Sequence, residues 1–307
     1  MSDEDDTTHN DDPISDDDRP PTPPEKSGPA GAKPLTTDLV ATHLSLLART
    51  GNGLAHAYTR LELHNEGITN VDALEYYPNL RYLDLSSNAL RDIGTLTSLE
   101  YLLSLDLHSN ALRSIPSALD KRKFIQQANF AKNRLEVWEV TSWPMCAWLN
   151  VNDNKLSNLP LPEFHELLHL EARGNKLTNL APIVCPKLQR LYLANNNISS
   201  LTGLENKQSL QLLHLRANKI RSLDVIGDLG ALSYLNLRSN QIENPKELDK
   251  IASLQNLKAI VLMDNPIDQL PTYRLELLRR LPKLERIDKD PVSEEEKEEA
   301  EQVRPAN

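Results

Sequence analysis

The chain has 307 residues, with 34 Lys and Arg against 44 Asp and Glu, a net charge of −10 with the histidines neutral. The acid sits at the ends: residues 1–34 carry ten carboxylates against three cations, residues 288–307 carry eight against three, and the stretch between is nearly neutral at +2. Such a body promises no basic face for nucleic acid, two cysteines are too few for a disulfide framework, and no run of 18 apolar residues is present to span a membrane.

Residues 1–35 combine Asp runs with Pro20, Pro21, Pro23, Pro24 and Pro29 and hold almost nothing apolar, so a disordered tail is expected. The start, Met1-Ser2-Asp3-Glu4-Asp5-Asp6, is the opposite of a basic-then-apolar signal peptide, which predicts a cytoplasmic protein with reduced cysteines. Ser2, Ser15 and Thr22 stand beside acidic residues or proline, as phosphorylation sites or simply as solubilising residues. Leu39, Val40, Leu44 and Leu47 recur at helical spacing after Thr36 and Thr37. With Gly51 at the C′ position they predict a capping helix over 36–49, and a junction up to residue 57.

From 58 to 270 the chain repeats itself on the template L-x-x-L-x-L-x-x-N-x-L. The series runs from Leu80, Leu83, Leu85, Asn88 and Leu90 to Leu257, Ile260, Leu262, Asn265 and Ile267. Its asparagines fall at Asn88, Asn110, Asn133, Asn154, Asn175, Asn196, Asn218, Asn240 and Asn265. An incomplete first unit, Leu61, Leu63 and Ile68, has Glu66 at the asparagine position, and the fourth unit is degenerate, with Ala128 and Phe130 at leucine positions. One unit cannot bury its own leucines, whereas a stack buries them continuously, with each asparagine pairing backbone groups inside a turn. The predicted fold is an α/β solenoid: a leucine-rich repeat right-handed superhelix of about ten 21–25-residue units with helical end caps. Tyr273, Leu277, Leu278 and Leu281 predict the closing cap over 271–290, and 291–307 is expected to be an acidic tail with a frayed helix.

Chemistry is sparse. His165-Glu166-Leu167-Leu168-His169 matches the H-E-x-x-H zinc-protease pattern, which works only where a helix puts both histidines on one face. Here Leu167 and Leu170 are template leucines, so His165 falls on a connection and His169 in a strand, and no metal is expected. Cys146 takes a template core position and reads as a buried small hydrophobe. No phosphate-binding glycine loop or nucleophile elbow occurs, so neither an enzyme nor a cofactor is expected.

Surface remains. Residues between the template leucines line the concave sheet, and this row supplies the candidate protein-binding positions. The early ones are Tyr82, Asp84 and His108, the middle ones Trp148, Asn150, His169, Glu171 and Arg173, and the later ones Arg190, Tyr192, His214, Arg216, Tyr234 and Arg238. The row drifts from acidic to basic and aromatic, the residue types that dominate binding hot spots, although any hydrophilic sheet face carries some of them. Trp138, at a core position, reads as structural, and Trp148 as the better contact.

Two flanking segments carry a more specific likeness. Ser45 to Glu62, centred on Thr50-Gly-Asn-Gly-Leu-Ala-His-Ala-Tyr58, and Val261-Leu-Met-Asp-Asn-Pro266 through Leu284-Glu-Arg-Ile-Asp-Lys289 resemble the leucine-rich repeat-containing protein 23 family, over about residues 36–300. That resemblance implies a scaffold in the axoneme of motile cilia or sperm flagella, at the head of the third radial spoke, with other spoke-head proteins as partners. The alternative is a cytosolic phosphatase regulatory subunit holding its catalytic partner in the concave face. The Thr50–Tyr58 segment reads as a structural junction at least as well as a docking site, since Gly51 and Gly53 permit positive φ at a helix end, and the junction is the favoured reading.

Overall fold

The computed structural model describes residues 33–302, apart from Asn52. The disordered tail expected over 1–35 lies, for residues 1–32, outside the described residues, as do residues 303–307.

Thirteen strands form one open sheet in simple chain order. The first two, β1 (Leu44–Arg49) and β2 (His56–Glu62), make an antiparallel hairpin. From β2 onward the strands run parallel through β3 (Tyr82–Asp84), β4 (Ser104–Asp106), β5 (Gln127–Asn129), β6 (Trp148–Asn150) and β7 (His169–Glu171). The series continues with β8 (Arg190–Tyr192), β9 (Leu212–His214), β10 (Tyr234–Asn236), β11 (Ala259–Val261) and β12 (Arg286–Ile287), and β13 (Asp290–Pro291) closes it antiparallel. The central residue of each triplet, from Leu83 through Leu149 and Leu213 to Ile260, is buried, and one continuous core runs from Leu35 to Ala300. The connections on the convex side are irregular or short 3-10 turns, such as Asp72–Tyr76 and Pro245–Ile251.

The asparagine ladder is the device that permits these tight turns. Asn175 donates through Nδ2 to the carbonyls of Val151 (2.9 Å), Arg173 (3.1 Å) and Ala172 (3.3 Å), and its Oδ1 accepts from Leu156 N at 3.0 Å. Asn154, Asn196, Asn218 and Asn240 repeat the pattern, each stitching its own turn to the preceding unit. The residue before each asparagine is left-handed, including Ser87, Lys132, Asp153 and Ala217 at φ of 54–56°. Side chains rarely adopt that conformation, and here the amide network over-determines it. Glu66, at the ladder position of the first unit, pairs instead with Lys33 at 2.8 Å.

The ends differ from expectation in two places. The capping helix is only α1 (Thr37–His43), opened by Thr36 accepting from Leu39 N, with Val40 its buried residue. The second half of the predicted helix is β1, whose Leu46 and Leu47 are exposed. Four apolar residues cannot separate helix from strand by period, and the outer edge of β2 gains backbone partners only if the chain turns back as a strand. Gly53, at φ 70°, closes this hairpin rather than a helix, with Thr50 N on Ala55 O and Gly53 N on Thr50 O. At the other end α2 (Tyr273–Arg280) buries Tyr273, Leu277 and Leu278 as predicted. The acidic tail expected from 291 is instead part of the cap. Its helix α3 (Glu294–Gln302) opens with a capping box, Glu296 N on Ser293 Oγ and Ser293 N on Glu296 Oε2. Ala300 reaches the core, and Arg274 clamps Glu296 at 2.6 Å.

Candidate protein-binding face

The strand register aligns the predicted row in two columns. One runs Tyr82, Ser104, Gln127, Trp148, His169, Arg190, Leu212, Tyr234; the other runs Asp84, Asp106, Asn129, Asn150, Glu171, Tyr192, His214, Asn236. A third line follows the strands and carries His108, Arg173, Arg216 and Arg238. All the predicted positions therefore fall on one face, but they do three different things.

At the N-terminal end the face is acidic. Glu62, Asp84 and Asp106 line a 230 Å³ hollow with Tyr82, whose ring lies 5.1 Å from the Arg60 guanidinium. The Asp84 carboxylate accepts from Ser86 N. Asp106 holds His108 Nδ1 at 2.8 Å and Asn129 Nδ2 at 3.1 Å. The Asp106 hydrogen bond raises the His108 pKa above its ordinary value, while burial of the ring opposes the rise. Burial works to raise the Asp106 carboxyl, but the hydrogen bonds from His108 and Asn129 hold it below the carboxylate range. A histidine with a raised folded pKa contributes stability that is complete below its unfolded value, near 6.5, and is lost as pH rises through the folded one. The expected outcome in an NMR pH titration is that His108 deprotonates above the ordinary histidine value of about 6.5 and falls back toward it in Asp106→Asn. Equal midpoints in the two proteins would show that the pair is not formed.

The middle is an aromatic ladder. The Trp148, His169, Tyr192 and His214 rings follow one another at 6.4, 5.1 and 6.2 Å, and the Arg173 guanidinium lies 4.4 Å from the Tyr192 ring centre. Glu171 sits between, approached by His169 Nε2 at 3.4 Å and hydrogen-bonded by Asn152 Nδ2 at 2.7 Å. Its burial pushes the carboxyl up, and those two partners outweigh it and hold it low. Asn150 turns its Oδ1 to Asn152 N, a local loop contact. Arg190 is exposed at the edge of the ladder.

The C-terminal third corrects the sequence reading. Tyr234 and His214 were expected as contacts, yet both are nearly buried in the concave floor, where Asn236 Nδ2 reaches the Tyr234 hydroxyl at 3.2 Å and His214 Nε2 at 3.1 Å. Leu212, Tyr234 and Val261 form a second apolar cluster here, flanked by Tyr192, Ala259 and Met263. Reading the row for charge and rings alone missed this patch, although the same template positions spell it out. Arg216 is half-buried at its edge, and Arg238 binds Asp264 at 2.7 Å. The face thus pairs an apolar, aromatic centre with a rim of arginines, the composition of interface cores.

The H-E-x-x-H segment forms no helix: His169 lies in β7, and His165 is exposed on a convex connection beside a 450 Å³ hollow containing Cys185 and Lys207. The Cys146 and Cys185 thiols are buried, and burial pushes each up to about 12, which matches the inert reading of Cys146. Trp138 is buried in the core, and Trp148 is half-exposed on the face.

Comparison with known proteins agrees with this architecture. A family model described as Leucine-rich repeat matches residues 169–307, and a second, Leucine Rich Repeat, matches 79–99. The chain is 39% identical over 275 residues to leucine-rich repeat-containing protein 23 of Bos taurus, covering 88% of this chain and 80% of that one, and equally so to that of Homo sapiens. It is 42% identical over 301 residues to leucine-rich repeat-containing protein 23 of Xenopus tropicalis, covering 89% and 79%. Among solved structures, internalin C2 of Listeria monocytogenes is similar, with a TM-score of 0.52 at 23% identity over 67% of this chain and 81% of that one. The functional domain of InlJ, from the same organism, gives 0.51 at 20% identity over 75% and 62%. Both share the fold.

Proposed function

The chain belongs to the leucine-rich repeat-containing protein 23 family, and on that premise we propose that its protein-interaction scaffold serves the axoneme of motile cilia or sperm flagella, within the radial-spoke head. One observation carries the reading: relatives 38–42% identical over nearly nine-tenths of the chain share one name, which supports a common role for the scaffold. The concave face supplies the means. Its Tyr192 stack, apolar floor and arginine rim suit a protein partner that seats an apolar side chain on the floor and carboxylates at the rim. The role is structural and makes no chemical step.

Sequential extraction of isolated cilia tests the location. The protein should stay with the axoneme through detergent and leave only in strong salt or chaotrope. Release by detergent alone, or absence from cilia, would sink the spoke assignment. The face is tested on whatever neighbour is cross-linked there: Tyr192→Ala with Arg216→Ala should weaken binding by about a hundredfold. Unchanged affinity would move the interface off the concave sheet.

A further inference from the structure

The solenoid body is nearly neutral in sum, but one flank is not. Where the units turn away from the sheet, Arg91, Arg113 and Arg134 of three consecutive units line a single 390 Å³ cavity with Ala111. All three are exposed, and among the described residues none has a side-chain hydrogen bond or ion pair. The nearby carboxylate Glu136 is turned to Lys155 at 3.8 Å. Stacking therefore brings three like charges together in a cavity that no carboxylate lines, a field that favours an anionic chain.

The backbone ladder of this flank leads straight to where the described chain begins. Lys33 pairs in parallel with Ile68, through Lys33 N on Gly67 O and Thr69 N on Lys33 O. The next rungs are Ala89 N on Ile68 O, Ala111 N on Leu90 O and Arg134 N on Leu112 O, each 2.9 Å. Lys33 is thus a rung of the ladder that carries the arginines. At about 4.8 Å per rung, they lie roughly 10–20 Å from it. Upstream, residues 1–32 hold ten carboxylates against Arg19 and Lys26. The run Asp16-Asp17-Asp18 precedes Lys33 by a length of chain that cannot exceed about 60 Å, enough to reach the arginines.

We propose that the flank formed by Arg91, Arg113 and Arg134 is a docking surface for the chain's own acidic segment 1–32, with the Asp16–Asp18 run set on the three guanidiniums. Three things point to this occupant over an acidic segment of another protein: the segment runs into Lys33 on the same ladder, its length can span the gap, and its charge is one-sided. Guanidinium–carboxylate pairs add charge-assisted, often bidentate, hydrogen bonds. Tethering holds the segment at an effective concentration of roughly millimolar, so an acidic partner must first displace it. The docked segment guards the flank and leaves the concave face open. This holds whether or not the protein works in the axoneme.

The test uses the full chain with a nitroxide on Ser15→Cys, since Cys146 and Cys185 are buried and take no label. Amide relaxation should be enhanced most at residues 89–91, 111–113 and 134. The enhancement should drop several-fold between about 0.05 and 0.5 M salt, and vanish in Arg91→Gln/Arg113→Gln/Arg134→Gln. The substituted side chains are exposed, so an unchanged melting midpoint verifies the fold, and Arg113→Gln alone should give an intermediate loss. Enhancement spread evenly over the surface, or surviving the triple substitution, overturns the proposal. Added poly-glutamate separates the sources. Displacement of the label from the flank supports the proposal, whereas binding of poly-glutamate to a flank the label never visited would assign the surface to an outside acidic chain.

Discussion

Asn175→Ala should destabilise the protein by about 3–5 kcal/mol, among the largest losses any single side chain can produce here. The substitution removes one acceptor and one donor group that between them serve Leu156 N and the carbonyls of Val151, Ala172 and Arg173, in a turn closed to water. Alanine leaves the buried Leu156 N without its partner, at about 1–3 kcal/mol. It also strips one donor from carbonyls that keep a second bond, from Asn154 Nδ2 to Val151 O, Asn196 Nδ2 to Ala172 O and Asp153 N to Arg173 O, at about 0.5–1.5 kcal/mol for each bond lost. Gly174 before it, at φ 63°, also loses the network that holds the turn. Because repeats touch only their neighbours, a break in the centre should uncouple the two halves as well as weaken them. Urea denaturation followed by circular dichroism should therefore show a lower midpoint and a shallower or split transition. Asn110→Ala is the internal comparison: its amide makes the same bonds but is half-exposed, so water can replace part of what is lost and the effect should be smaller. A loss below about 1 kcal/mol for Asn175→Ala would mean that the ladder is decoration and that leucine packing alone sets the fold.

How much of this was legible in the sequence follows from what repeats. The solenoid, its register and the buried asparagines could be read directly, because a turn that needs the same amide every 21–25 residues writes that need at a fixed period. The C-terminal stripe from Tyr273 to Leu281 was legible for the same reason: a helical period against a known end. The N-terminal cap was not. Leu39, Val40, Leu44 and Leu47 fit a helix, but whether Leu44 pairs with Leu61 depends on an open sheet edge that no local pattern reveals. A frayed helix was legible over the last residues, but the docking of α3 was not, because its composition is that of a tail. One small residue, Ala300, and one capping box suffice to dock it once Arg274 is in place to take Glu296. On the concave face, the alignment of the row was legible and its accessibility was not. Tyr234 and His214 alternate outward as the strand period demands, yet their neighbours on adjacent strands close over them, a contact between units that a one-dimensional pattern does not contain. The arginine flank was hidden by arithmetic, since a sum of charges over the body discards where they stand.

Trp143→Ala should cost about 4–5 kcal/mol and should unfasten the middle of the solenoid before its ends. The fourth unit has lost two template leucines, to Ala128 and Phe130, and the small alanine leaves room in the core. Aromatic rings fill it. Trp143, fully buried, lies 6.2 Å from Phe130, 5.9 Å from Trp138 and 6.0 Å from Phe164, and its indole N–H donates to Leu119 O at 2.8 Å. Removing the ring leaves a cavity bounded by three other rings that cannot collapse together, and it orphans a buried carbonyl. Trp143→Phe separates the two contributions, since it keeps most of the volume and loses the hydrogen bond, and about 1–2 kcal/mol is expected. Hydrogen exchange gives the spatial readout: in Trp143→Ala protection should fall first around residues 119–168, while β2 to β4 and β9 to β11 keep theirs. If protection falls uniformly, or if the loss is under about 2 kcal/mol, the degenerate units do not depend on the cluster. The aromatic side chains would then be passengers in a core held by the flanking leucines. The structure argues against that outcome, because between Leu119 and Leu167 template leucine positions are taken by Ala128, Phe130, Trp138 and Cys146, and Trp143 is the ring in contact with Phe130, Trp138 and Phe164.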